Sequence, residues 1–363
     1  MRQILSLKYR PQTFDEIEGQ EHIKKTLKKA IAHNKIANAY LFCGPRGVGK
    51  TTTARILASC LNCTSFSEPT ISPCGKCLSC RDIKYSRSID VLEIDGASNR
   101  QIDDIRNLRE NAKYAPVFSR YKIYIIDEVH MLTREAFNAL LKTLEEPPPH
   151  VKFIFATTAP HKLPETIISR CQRFDFRKAG VEEIVSRLKK IAQKEGIKIE
   201  ESALYTIARR SEGAIRDGEV LLDQIAAYSD KVITVQMVEE ILDIIPEETF
   251  FSYFALLKEG DKGKLLAFLE KLSQSSYDPI EFYSGLIKFF RTLLLVKNDL
   301  PAKILGLSPE DYQKFQKEVD TTKEEEITRI LSRLLDTEEM MRRTFFPEIL
   351  LEVISLKLLS RDD

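Results

Sequence analysis

The string GPRGVGKT, residues 44–51, constrains this chain more than any other stretch. It matches G-x-x-x-x-G-K-[ST] and stands in the context that motif requires. The apolar run NAYLFCG (38–44) before it reads as a buried strand. KTTTARILASCL after it reads as a helix, with Ala54, Leu57, Ala58 and Leu61 at helical spacing. Such a loop wraps phosphate oxygens in backbone N–H groups, and the positive end of the helix adds its dipole. The candidate nucleotide-binding residues are therefore Gly44, Pro45, Arg46, Gly47, Val48, Gly49, Lys50, Thr51 and Thr52. Lys50 is placed to reach the β- and γ-phosphates of ATP, and the Thr51 hydroxyl to hold Mg²⁺. A chance glycine-rich turn is the alternative, and the flanking strand and helix count against it.

IYIIDEVHML supplies the partner. Asp127 ends a hydrophobic strand, so it emerges at the carboxyl edge of a sheet, where the ligand lies. There it can hold Mg²⁺ through water, while Glu128 orients and polarises the attacking water. His130 reads as a structural or solvent-facing histidine. ATT places Thr157 and Thr158 at the end of another strand, within reach of a γ-phosphate. Spacing alone leaves Arg170 and Arg216 as ordinary surface arginines.

Around these motifs strands alternate with helices. SIDVLEIDG (88–96), YKIYIIDE (121–128), VKFIFATT (151–158) and CQRFDFR (171–177) read as strands. QIDDIRNLRENAKY reads as a helix capped by Ser98 or Asn99, and REAFNALLKTLEE as a helix stopped by Pro147, Pro148 and Pro149. The alternation predicts a parallel sheet covered on both faces. After Lys178 only amphipathic helices follow, the first two ended by Gly196 and Gly213. The division predicted is 1–178, an α/β nucleotide-binding domain; 179–242, a small helical lid; and 243–363, an all-helical region rich in Phe and Leu.

Four cysteines fall inside the first domain as C-x10-C-x2-C-x2-C: Cys63, Cys74, Cys77 and Cys80. Tetrahedral Zn²⁺ takes four thiolates, and C-x2-C lets one tight turn offer two of them. A redox pair or an iron–sulfur cluster are the alternatives, with no electron partner in view. The insert at 63–80 lies between the phosphate-loop helix and the second strand, outside the ATP chemistry. Cys43 and Cys171 read as buried thiols.

Composition adds exclusions. With 43% hydrophobic and 30% charged residues, a sizeable core can be buried. There is no membrane-length apolar run and no signal peptide, so a cytoplasmic protein without a membrane partner is expected. Residues 1–242 carry 38 basic against 31 acidic groups and the remainder 17 against 23, which permits a polyanion partner for the first part. Arg100, Lys142 and Lys162 are the candidate contacts to the phosphates of such a partner.

Taken together, LKYRPQTFDEIEGQEHI, YLFCGPRGVGKTTTARI, the four-cysteine insert, IYIIDEVHMLTREAFNALLKTLEEPPPHVKFIFATT, KLPETIISRCQRF and SEGAIRDGEVLLDQ resemble the gamma/tau family of bacterial DNA polymerase III clamp-loader subunits. The resemblance is dense over 1–225 and weaker beyond. It implies an AAA+ P-loop ATPase fold with a zinc-module insert, a helical lid and an all-α collar. It implies an ATP hydrolase that opens a sliding clamp and loads it onto primed DNA, with no polymerase active site of its own. Its implied partners are delta and delta-prime subunits and copies of itself. Arg170 becomes the arginine finger acting across a subunit boundary, and Arg216 the second sensor. Tyr9, Arg10 and Pro11 become part of the adenine pocket, and Thr157 the first sensor with Thr158 beside it. The chain departs from the pattern in the longer TSFSEPTISP between Cys63 and Cys74, and in Gly218 where alanine is common. It ends at LLSRDD, before any Pro-rich linker or tau-type tail, as a short gamma-type product or a truncated tau does. Another AAA+ remodeller, such as a branch-migration motor, or a zinc scaffold with a vestigial phosphate loop, are the competing readings.

Overall fold

The computed structural model describes residues 4–98, 102–228, 231–274 and 277–359, with only the backbone described at 102–104. Asn99 and Arg100 lie outside the described residues.

Five strands form one parallel sheet: β1 (Ala39–Cys43), β2 (Val91–Asp95), β3 (Lys122–Asp127), β4 (Val151–Thr157) and β5 (Gln172–Asp175). Their order is β2-β3-β4-β1-β5. Each helical crossover returns the chain to the same starting edge, so every strand ends on one side. Register aligns those ends: Cys43 pairs with Thr157, and Asp95 with Asp127.

Side chains alternate between the faces, as a pleated strand requires. Tyr40 and Phe42, with Ile123, Ile125 and Ile154, pack under helices Glu21–Ala32 and Lys50–Asn62 through Leu27, Leu57 and Leu61. Leu41, Tyr124, Ile126, Phe153 and Phe155 face the other way, onto Ile105, Leu108, Phe137 and Leu140 of helices Ile102–Ala112 and Arg134–Glu145. Both faces are dry over the central strands β1, β3 and β4, which read as near-continuous apolar runs, while the edge strands β2 and β5 carry exposed polar residues. The Arg134–Glu145 helix starts at Thr133, whose hydroxyl accepts from Ala136 N, and stops before the prolines.

By their contacts the residues form two compact units, Met1–Ile191 with Arg210–Asp223, and Ala192–Arg209 with Gln224–Asp363. The helices after Gly180 are thus divided between them. The second unit is helical, and its core is aromatic. Phe254 meets Phe290 edge-on at 5.2 Å, and Phe250 stacks on Phe282 at 5.4 Å. Tyr253, fully buried there, shares a hydrogen bond with Ser355 at 2.8 Å. Among the described residues, no helix is long and apolar enough to cross a membrane.

Candidate functional site: a phosphate loop facing an acidic pair

The loop between β1 and helix Lys50–Asn62 reverses direction within six residues, which forces left-handed backbone at Gly47 (φ 77°) and Gly49 (φ 98°). Gly47 is also hemmed in. A Cβ there would stand 2.7 Å from the Ala214 methyl. Gly49 caps the helix, so the first amides of the helix face into the loop with the positive end of its dipole.

Lys50 is 6% exposed, and its ammonium donates to the carbonyls of Gly44 (2.8 Å) and Pro45 (2.7 Å). Burial pushes its pKa down, while Glu128 and Asp127 push it back up, so the cation sits within the field of both acids. Thr51 Oγ1 donates to Asp127 Oδ2 at 2.6 Å, which joins two residues 76 positions apart. The other carboxylate oxygen of Asp127 accepts from Glu128 N at 2.9 Å. A hydroxyl and a carboxylate oxygen side by side are the oxygen donors that Mg²⁺ takes.

Glu128 has φ 45° and ψ 45°, a left-handed conformation that costs a non-glycine residue about 1–2 kcal/mol. The kink turns its side chain out of the strand direction. Glu128 Oε2 accepts from Thr158 Oγ1 (2.9 Å) and Thr158 N (3.2 Å). Thr157 is fully buried, and its Oγ1 meets His130 Nδ1 at 3.0 Å. It is Thr158, then, that touches the acidic pair directly, and Thr157 that reaches it through His130. His130 is not solvent-facing: its side chain is 9% exposed and lies 3.3 Å from Glu128 Oε2.

A cavity of about 520 Å³ opens over these groups, lined by Gly47–Thr52, Asp127, Glu128, Arg10, Pro11 and Arg216 among others. Its size falls within the usual range for a ligand pocket. Arg10 Nε donates to Thr52 Oγ1 at 3.2 Å. Burial, and after it the neighbouring Arg55, pushes the Arg10 guanidinium down to about 10, the mark of a crowded cation that an anion would relieve. Tyr9 is not among the lining residues. Its carbonyl instead accepts from Arg187, which pairs with the buried Glu219 at 2.8 Å. Arg216 N donates to Gly47 O at 3.5 Å, so the second of these arginines starts its helix against the phosphate loop.

Arg170 stands apart from the cavity. It donates to Thr166 O (2.9 Å) and pairs with Glu145 (2.8 Å), and the side chains are 34% and 50% exposed. Exposed pairs of this kind are worth about 0–1 kcal/mol, so the guanidinium is readily released to a stronger anion. Lys142 and Lys162 are exposed.

The sulfurs of Cys63, Cys74, Cys77 and Cys80 lie within 4.8 Å of one another. Zn–S bonds of about 2.3 Å in a tetrahedron put sulfurs about 3.8 Å apart, so the set fits. Cys77 N (3.2 Å) and Lys76 N (3.4 Å) point at Cys74 Sγ, and Ser65 Oγ donates to it at 3.1 Å. The Ser65 bond first, then these amides, push the Cys74 thiol down to about 6, while burial pushes the Cys80 thiol up. Cys60, not singled out by spacing, is a buried thiol, as is Cys43; Cys171 is only partly covered.

Sequence reasoning missed the residues that hold these parts in place. Arg120 donates to the carbonyls of Leu61 (2.9 Å), Cys63 (3.0 Å), Phe66 and Ser67 (3.2 Å), gripping the first knuckle of the insert. Asn62 pairs with both backbone groups of Tyr121. Asp90, 2% exposed, accepts from the amides of Val117, Phe118 and Ser119. Gly96 packs against the carbonyls of Asp127 and Glu128. A lone Arg, Asn, Asp or Gly carries no periodic signal that could have found it.

Sheet order, phosphate loop and acidic pair define the class: this is an AAA+ P-loop NTPase. Family models match along the chain: DNA polymerase III, delta subunit, over 19–180; DNA polymerase III clamp loader subunit, ATPase lid domain, over 183–231; and DNA polymerase III subunits gamma and tau domain III over 233–363. DNA polymerase III subunit gamma of Buchnera aphidicola subsp. Acyrthosiphon pisum is 40% identical over 79% of this chain and 79% of its own. DNA polymerase III subunit tau of Bacillus subtilis is 45% identical over 80% of this chain and 51% of its own, and that of Escherichia coli 45% over 74% and 42%. The chain belongs to the gamma/tau family of DNA polymerase III clamp-loader subunits. It spans about half the length, or less, of these two tau relatives. Among solved structures, the Thermotoga maritima RuvB Holliday junction branch migration motor aligns over 69% of this chain and 80% of its own, at 22% identity and TM-score 0.49, too loosely to bear on function.

Proposed function

We propose that this chain is an ATPase motor subunit of a DNA polymerase III clamp loader, working in the cytoplasm within the holoenzyme. ATP binding across several subunits opens a ring-shaped sliding clamp and grips primed DNA; hydrolysis then releases the closed clamp. The observation that carries the reading is that Lys50, Thr51, Asp127 and Glu128 line one cavity at one sheet edge, with Thr51 bonded to Asp127. Lys50 leaves the loop carbonyls for the β/γ-phosphates, and the loop amides take the oxygens between. Thr51 and Asp127 would hold Mg²⁺, which neutralises charge on the phosphates when bound. Glu128 takes a proton from the attacking water.

The remaining roles are inferred from the family. Arg170 acts on a neighbouring subunit's ATP, and its weak tie to Glu145 is compatible with release. Arg216, Thr157 with Thr158, and the segment Tyr9, Arg10 and Pro11 serve as second sensor, first sensor and adenine pocket. Cys63, Cys74, Cys77 and Cys80 hold one structural Zn²⁺ with no open coordination position. The domains are 1–178, 179–242 and 243–363, the last joining delta, delta-prime and further copies of the chain. Lys142 and Lys162 contact DNA phosphates. The test is ATP turnover with clamp and primed DNA added. Stimulated turnover that falls about 10²-fold or more in Lys50→Ala is expected. Turnover indifferent to clamp and DNA, or retained by Lys50→Ala, would overturn the proposal.

A further inference from the structure

Asp127 and Glu128 are neighbours in sequence, yet they are held in different ways. Asp127 is fixed by the phosphate-loop helix and by its own turn. Glu128 has left the strand at φ 45°, so the sheet no longer dictates where its carboxylate points. A glutamate has three rotatable bonds and spreads over many positions unless something holds it. Two groups do: Thr158, through both its amide and its hydroxyl, and His130.

His130 lies in the short turn Val129–Met131, which folds back so that Met131 N donates to Glu128 O at 2.9 Å. That turn carries the ring over the end of β4. There Nδ1 stands 3.0 Å from Thr157 Oγ1 and 3.3 Å from Glu128 Oε2. A carboxylate only accepts, so the Nδ1–H tautomer is the one that can hold Glu128; the Thr157 hydroxyl, which also accepts from Ala159 N at 3.0 Å, stands beside the same nitrogen. Thr157 has a second tie: its carbonyl accepts from Gly44 N at 3.1 Å, the first residue of the phosphate loop. One residue thus touches the loop with its backbone and the support of the base with its side chain.

We propose that His130 is a positioning residue for ATP hydrolysis, its imidazole bridging Thr157 at the end of β4 to the carboxylate of Glu128. It touches no phosphate; it acts by keeping the base where the attacking water stands. The inference rests on reading Glu128 as that base.

The test is single-turnover ATP hydrolysis by the full chain assembled with its partner subunits, clamp and primed DNA, with ATP affinity measured separately. A base displaced by about 1 Å loses up to about 10²-fold in rate. His130→Ala should therefore lower kcat by roughly 10- to 10²-fold while the ATP Kd stays within about twofold. His130→Asn, which can offer an amide N–H near the place of Nδ1, should recover most of the rate. Thr157→Val, which keeps shape and removes the hydroxyl, should lower kcat without changing Kd and add nothing to the loss in Glu128→Gln, where a first sensor acting on phosphate by itself would add; with His130→Asn it carries the test if His130→Ala does not fold. Because His130 acts through Glu128, His130→Ala should add nothing to the loss in Glu128→Gln. Wild-type kcat in both His130→Ala and Thr157→Val, equal losses in the Ala and Asn variants, or losses that add to Glu128→Gln, would overturn the proposal. Wild-type kcat in Glu128→Gln itself would instead overturn the reading of the base.

Discussion

Gly96→Ala should damage catalysis by adding a single methyl group. Gly96 follows β2, and its N–H donates to Asp127 O at 2.8 Å, extending the ladder past Asp95. Its φ lies outside the left-handed range, so alanine meets no backbone penalty there. The cost is purely contact. A Cβ at this position would sit 2.8 Å from Glu128 O and 2.9 Å from Asp127 O. Carbon and carbonyl oxygen rest at about 3.3–3.6 Å, so both carbonyls must retreat by roughly half an ångström. Overpacking of this kind costs about 1–3 kcal/mol, and it falls on a turn already holding Glu128 in a left-handed conformation. A unit of this size loses about 2–4 °C per kcal/mol, so Tm should drop by roughly 2–12 °C. The same shift moves the base, and kcat should fall by roughly tenfold while ATP affinity, set by the phosphate loop, changes little. Melting curves, nucleotide titration and single-turnover hydrolysis on one preparation decide the matter. Unchanged Tm and kcat would refute the steric argument. Lost ATP affinity at unchanged kcat would show that the strain runs into the phosphate loop instead.

Three further outcomes are expected. Arg170→Ala should bind ATP but hydrolyse roughly 10³-fold more slowly in the assembled complex, and mixing it with Lys50→Ala subunits should restore activity above either parent; mixtures that never exceed the parents would refute action across a boundary. Replacing Cys77 and Cys80 by serine should release one zinc per chain and locally unfold 63–80 while ATP affinity largely survives; metal analysis and nucleotide titration on that variant check it, and loss of ATP binding in a still-folded chain would mean metal and nucleotide share a site. Tyr124 is fully buried with no hydrogen-bond partner for its hydroxyl among the described residues. Tyr124→Phe should keep the stack on Phe153 at 5.5 Å and raise stability by up to about 1–3 kcal/mol; a lower Tm would show that the hydroxyl has a partner after all.

The phosphate loop was legible because Gly44 to Thr51 act through their own backbone, and backbone conformation follows local residue types. The strand carrying Asp127 was legible for a related reason: a run such as IYII can bury both faces only in the middle of a sheet. The four cysteines were legible because C-x2-C spacing is itself the geometry of a metal knuckle. Arg170 and Arg216 took their roles from family likeness, since an exposed arginine has no spacing of its own. What remained depended on contacts between residues far apart in the chain. Thr51 meets Asp127 across 76 positions, and His130 meets Thr157 across 27. Which of two adjacent threonines faces the acids depends on the pleat of β4 and on where that strand ends. The sequence reading put Thr157 foremost and left His130 as either a structural or a solvent-facing residue. In the fold, Thr157 turns inward onto His130 while Thr158 meets Glu128. Strand order brings β4 between β1 and β3, and only that order sets a histidine after one strand against a threonine ending the next. Local sequence specifies which groups the chain carries and how each segment folds; the distances between them are set by the packing of the whole sheet.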